Sequence, residues 1–128
     1  NSDLIILAGR PGMGKTSLAT NIAFNAAARL MRDRRDGIDN SPGAATAFFS
    51  LEMSADQLAT RILSEQAEIS SEALRSGQLT RDEFQQLSFA SQELAELPLY
   101  IDDTPALTIA ALRARARRLK RRHDIGLV

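Results

Sequence analysis

Short, continuously apolar runs alternate along the chain with longer stretches in which apolar residues recur every three or four positions. The first run is Leu4-Ile5-Ile6-Leu7-Ala8, closed off by Gly9 and Pro11. An apolar run bounded by helix breakers predicts a buried strand. From Lys15 to about Met31, Leu18, Ile22, Ala26 and Leu30 keep the helical period and predict a helix with those four inward. Residues 33–43, DRRDGIDNSPG, are polar with two glycines and a proline, and read as an exposed loop. Ala45 to Ser50 is a second strand. Ser54 then opens a helix, with Gln57 completing a capping box and Ala55, Leu58, Ile62 and Leu63 inward. Thr80 and Glu83 form a second box before a helix that turns Phe84, Leu87, Ser91 and Leu94 to one side and breaks at Pro98. Leu99-Tyr100-Ile101 is a third strand, ending at Asp102-Asp103. Thr108 caps a last helix, with Ile109, Leu112, Ala116 and Leu119 inward, and Ile125 to Val128 begins a fourth strand.

Strand and helix alternate throughout. That order argues for an α/β fold with a parallel sheet flanked by crossover helices, and residues 1–128 are about the size of one domain. No internal repeat or low-complexity segment interrupts it.

The first strand-to-helix junction carries the chemistry. Gly9-Arg10-Pro11-Gly12-Met13-Gly14-Lys15-Thr16 satisfies G-x-x-x-x-G-K-[ST] between an apolar strand and an amphipathic helix. Glycines allow backbone conformations in which several N–H groups converge on an anion, and the helix N-terminus adds donors and its positive dipole end. In such a P-loop Lys15 reaches the β- and γ-phosphates and the Thr16 hydroxyl ligates Mg²⁺, with Ser17 on the α-phosphate side. The plain alternative is an ordinary Gly-rich turn, but the flanking strand and helix are the context a P-loop requires. The expected ligands are ATP and Mg²⁺. Arg10 could touch nucleotide or a neighbouring subunit, and Met13 reads as a packing residue.

Glu52 lies just past the end of the second strand. Ligands of open α/β sheets bind at the carboxyl ends of strands, so Glu52 belongs on the P-loop side. A carboxylate one water away from the γ-phosphate can orient that water for in-line attack. An acid favoured by the following helix's dipole explains the position equally well.

Three blocks together, GRPGMGKTSLATNIA, FFSLEMS and YIDDTPALTIAALRARARRL, resemble the C-terminal ATPase domain of the bacterial replicative DNA helicases, the DnaB family. The likeness covers nearly the whole chain. It implies a RecA-like P-loop NTPase core and makes Glu52, matching the glutamate of S-L-E-M, the catalytic base. It further implies a homohexameric ring, 5′-to-3′ translocation on single-stranded DNA, and contacts with primase and a helicase loader through regions outside this chain. The family's Walker B aspartate follows the next strand, which places it beyond Val128. Asp102 then becomes a lesser candidate for magnesium, and Asp102 and Asp103 shape the turn before Thr104-Pro105. The DNA-binding loops and arginine finger also fall outside, so the chain alone is expected to bind ATP weakly and hydrolyse it negligibly. Rival readings are another RecA-like ATPase, such as a recombinase or clock-like protein, a small-molecule kinase, or a non-catalytic nucleotide-binding module.

Composition adds little. Formal net charge is zero, and the hydrophobic and charged shares, 44% and 25%, are those of a globular domain. There is no cysteine, so disulfides and thiolate metal sites are excluded. No apolar run approaches the ~20 residues that span a bilayer, and the first residues lack the basic start of a signal peptide; a cytoplasmic protein is expected. Arg113, Arg115, Arg117, Arg118, Lys120, Arg121 and Arg122 crowd the last helix without interleaved aromatics, which favours a solvated or subunit-contact face over a DNA site. His123, the only histidine, reads as a helix-end cation.

Overall fold

A computed structural model describes residues 3–128. Its elements run α1 (Lys15–Arg35), β1 (Ala45–Phe49), α2 (Ala55–Ala67), α3 (Ser71–Ser76), α4 (Arg81–Glu96), β2 (Leu99–Asp102), α5 (Ile109–His123) and β3 (Ile125–Leu127). The three strands form a parallel sheet in the order β2-β1-β3. Thr46 to Phe49 pair in register with Leu99 to Asp102, so β1 and β2 end level with one another.

The local signals act where the sequence places them. Ser54 and Thr80 each accept the N–H of the residue three further on, while Gln57 and Glu83 accept from the cap residue's own N–H. Thr108 caps α5 by accepting from the Ala111 N–H. Each bond satisfies a donor that the helix start would otherwise leave unpaired.

Alternation along β1 divides the packing. Phe48 joins Leu99 and Ile101 against Thr20 and Ala23 of α1 and Leu58 and Ile62 of α2. Ala45 and Ala47, with Ile125, pack with Phe49, Tyr100 and Leu119. Helices therefore cover both faces. A second cluster, Ala67, Ile69 and Ala90, with Leu63, Leu74 and Leu87 around it, joins α2, α3 and α4.

Several expectations are corrected. Leu4 to Ala8 form no strand; Leu4, Ile5 and Ile6 are more than four-fifths exposed. The run pairs with none of the three strands, and its side chains have no sheet neighbour to pack against. On α1 the buried positions are Thr20, Ala23, Ala27 and Asp33, whereas Leu18 and Ile22 remain about half exposed. Small side chains let the helix sit close on β1, which rotates its apolar stripe. Residues 33–43 are not all loop: α1 continues to Arg35, and Asp33 is buried, bound by Arg29 and by the Ser41 hydroxyl. Bonding to Ser41 first, with Arg29 adding to it, holds its carboxyl below the usual range. Phe84, Ser91 and Ile109 face solvent, and Ala90 takes the central buried place on α4. Met13 is exposed and does not pack. His123 stacks on Tyr100 with ring centroids 4.2 Å apart. The helix α3 breaks a stretch with no periodic signal. Among the described residues, no helix is long and apolar enough to cross a membrane.

Candidate active site

Two connections meet at the carboxyl ends of the strands: the loop before α1 and the turn between β1 and α2. In the first, Gly12 and Gly14 take left-handed backbone angles, φ 79° and 83°. Residues with a Cβ are strained there. The Met13 N–H bonds back to the Arg10 carbonyl at 3.2 Å, and the Lys15 ammonium donates to the Gly9 carbonyl at 2.7 Å. The N–H groups of Gly12, Gly14, Lys15, Thr16 and Ser17 find no acceptor among the described residues. A run of such free donors at a helix start is an anion-binding concavity.

The second connection is short and tied on several sides. Ser50 donates its N–H to the Asp102 carbonyl at 2.9 Å. Its hydroxyl donates to the Met53 carbonyl at 2.8 Å and accepts the Met53 N–H at 3.2 Å. Glu52 stands within this small ring, exposed, without a hydrogen bond or ion pair among the described residues. Ser54 follows and caps α2.

Both connections line one cavity of about 520 Å³. Pro11, Gly12, Gly14, Lys15, Thr16 and Ser17 contribute from the loop side, and Glu52, Met53 and Arg61 from α2 and the turn before it. Its volume lies within the ~300–1,000 Å³ of small-molecule sites. The structure thus brings Glu52 to the P-loop, as the end-of-strand position predicts. Gly9, Arg10 and Met13 shape the loop through their backbones, outside the cavity wall.

Arg61 belongs to no motif, and sequence reasoning missed it. It lies seven residues after Ser54, two helical turns on, and so on the same side of α2 as the cap. It is half-buried and has no acidic partner among the described residues. Counting turns from the cap is the signal that could have found it.

Asp102 sits elsewhere, on a separate cavity between β2 and α5. Its carboxylate accepts from the Thr104 hydroxyl at 2.6 Å and from Arg115 at 2.7 Å. Thr104 first, and then Arg115, lower its pKa to about 2. Arg115 is therefore engaged in the fold, while the other arginines of α5 are exposed.

The family model described as the DnaB-like helicase C terminal domain matches residues 1–128. The chain belongs to that family. It is 52% identical over 129 residues to the replicative DNA helicase DnaB of Rickettsia prowazekii, covering all of this chain and 26% of that protein. To the replicative DNA helicase DnaB of Geobacillus stearothermophilus it is 40% identical over 127 residues, covering 99% of this chain and 25% of that protein. The chain thus spans about a quarter of the length of these DnaB relatives. Among solved structures, one described as an ATPase domain superposes with a TM-score of 0.71 at 23% identity, over 88% of this chain and 36% of that one. A DnaB-like replicative helicase, described with its interactions with primase, gives 0.64 at 23% identity over 88% of this chain and 24% of that one. The fold is that of the RecA-like ATPase domains of DnaB-like helicases, and this family uses a nucleotide.

Proposed function

We propose that this chain is the nucleotide-binding part of an ATP-driven replicative DNA helicase motor acting in the cytoplasm. One observation carries the reading: the loop's free N–H donors and Lys15 share a cavity with Glu52. The family match and the names of the relatives support it.

Gly12, Gly14, Lys15, Thr16 and Ser17 would hold the triphosphate of ATP through backbone donors and the lysine ammonium. Glu52 would orient and polarise the attacking water at the γ-phosphate. The catalytic gain is electrostatic and positional, with no covalent step on the protein. Thr16 suits a magnesium ligand, since it lines the cavity and its hydroxyl has no partner among the described residues. Mg²⁺ held there would supply charge neutralisation for the phosphates. In the whole protein, hydrolysis around a homohexameric ring would drive movement along single-stranded DNA, with primase and a helicase loader engaging other regions.

The test is a pair of substitutions in the full-length protein. Glu52→Gln should keep nucleotide binding and lower DNA-stimulated hydrolysis by about a hundredfold or more, within the range of general-base losses. Lys15→Ala should weaken binding as well. Hydrolysis by Glu52→Gln at the normal rate would remove the water-activating role.

A further inference from the structure

We propose that Asp103 is a positioning residue for Glu52, holding the turn that carries it from the end of the neighbouring strand. The proposal rests on the water-activating role given to Glu52 above. Because the Glu52 side chain has no partner of its own among the described residues, its place is set by the backbone on either side. Upstream, the Ser50 N–H is fixed to the Asp102 carbonyl. Downstream, the Ala55 N–H donates to Asp103 Oδ2 at 2.7 Å, across 48 residues of sequence.

Capping does not require that second bond. Ser54 and Gln57 already form a complete capping box, and the Ser54 hydroxyl serves the Gln57 N–H. The Ala55 N–H, at the first helical position, lies outside that box. Asp103 takes it with a charged acceptor, which makes the bond short and strong and places an anion at the positive end of α2. The strand end that presents Asp103 is itself immobilised, because Asp102 is bound to Thr104 and to Arg115 on α5. The end of β2 therefore grips the Ser50–Ala55 segment on both sides of Glu52. Displacements of the order of 1 Å at a reacting group can cost about a hundredfold in rate. Losing one of two grips should cost less, about tenfold.

The test is made on the full-length protein, following DNA-stimulated hydrolysis against ATP concentration. Asp103→Ala should lower kcat about tenfold with KM within about twofold, whereas Asp103→Asn, whose amide oxygen still accepts, should stay within about threefold of the parent. Ala55→Pro removes the donor from the other partner. Proline is favoured at the first helical position, and Ser54 already has the extended angles required before it, φ −69° and ψ 159°. Ala55→Pro should reproduce the kcat loss, and the double variant should be no worse than either single one, since both delete the same bond. Should Asp103→Ala fail to fold, Ala55→Pro alone decides. A kcat within twofold of the parent in Asp103→Ala or Ala55→Pro, whichever folds, losses that multiply in the double variant, or a change confined to KM each overturn the proposal. Glu52→Gln run alongside separates the two readings. If it is inactive while Asp103→Ala and Ala55→Pro are unimpaired, only the positioning role falls. If it is fully active, the water-activating role falls and takes this one with it.

Discussion

Leu58 is fully buried where α1, α2, β1 and β2 converge, against Thr20, Ala23, Phe48, Leu99 and Ile101. Leu58→Ala removes three carbon atoms from that junction. At ~0.8 kcal/mol per buried CH₂ the transfer loss is about 2.4 kcal/mol. A residual cavity adds about 24 cal/mol per Å³ that the neighbours fail to fill. They are held by a sheet on one side and a close-packed alanine helix face on the other, so little collapse is expected. The total is about 3–4 kcal/mol, a large part of the stability of a domain this size. Urea unfolding of the domain should show a lowered midpoint with an unchanged slope. Phe84→Ala is the control. It deletes more atoms, but Phe84 is 60% exposed, and the cost should be under about 1 kcal/mol. A Leu58→Ala loss below about 1 kcal/mol, or a Phe84→Ala loss equal to it, would refute the placement of the core at this junction.

Three further outcomes are expected. The Asp102 carboxyl is held at about 2 against an ordinary 3.8. Its contribution is therefore complete above about pH 4 and lost as pH falls towards about 2. The stability advantage of the parent over Asp102→Asn should shrink across that window in urea titrations, and a gap that does not change with pH would contradict the Thr104–Arg115 network. Arg61→Ala should raise the Kd for an ATP analogue about tenfold without altering the unfolding midpoint, measured by fluorescence titration and urea melts; an unchanged Kd removes Arg61 from the site. Gly14→Ala forces a Cβ into the left-handed region at φ 83°, at about 1–2 kcal/mol, and should abolish nucleotide binding in the same titration.

What is legible in the sequence is local. Capping boxes at Ser54 and Thr80 are written in residues three apart, and both are present as bonds. The P-loop is a contiguous motif whose glycines dictate their own backbone angles. Glu52 can be placed because a strand's end fixes which side of the sheet the next residue occupies. The failures are tertiary. Whether Leu4–Ala8 pairs depends on a sheet edge that the run itself does not encode, and it joins none of the three strands. Which stripe of α1 is buried depends on how close the helix approaches β1, and that is set by Ala23 and Ala27 rather than by the larger Leu18 and Ile22. Phe84 has the right period, but α4 packs through Ala90. Asp103 reads as a turn former because its acceptor role is completed by the backbone N–H of Ala55, and nothing in the Ala55 side chain marks that bond.

The same contrast bears on how the proposed triphosphate would share one cavity with a carboxylate. The loop side presents N–H donors, the α1 dipole and the Lys15 ammonium, so negative charge is favoured there. Glu52 reaches the cavity from a different connection, and about 520 Å³ of shared space would leave room for a water beside bound phosphates. The two anions then would not need to touch, and a water between them would receive the field of both. Lys15 already bonds a loop carbonyl, a neutral acceptor. A phosphate oxygen offers the same ammonium a charged acceptor, and charge-assisted bonds are roughly twice as strong. On the proposed reading the lysine would exchange the carbonyl for a phosphate oxygen. On the opposite wall the equivalent restraint comes from Ser50, Met53 and Asp103, whose bonds hold the backbone on either side of Glu52.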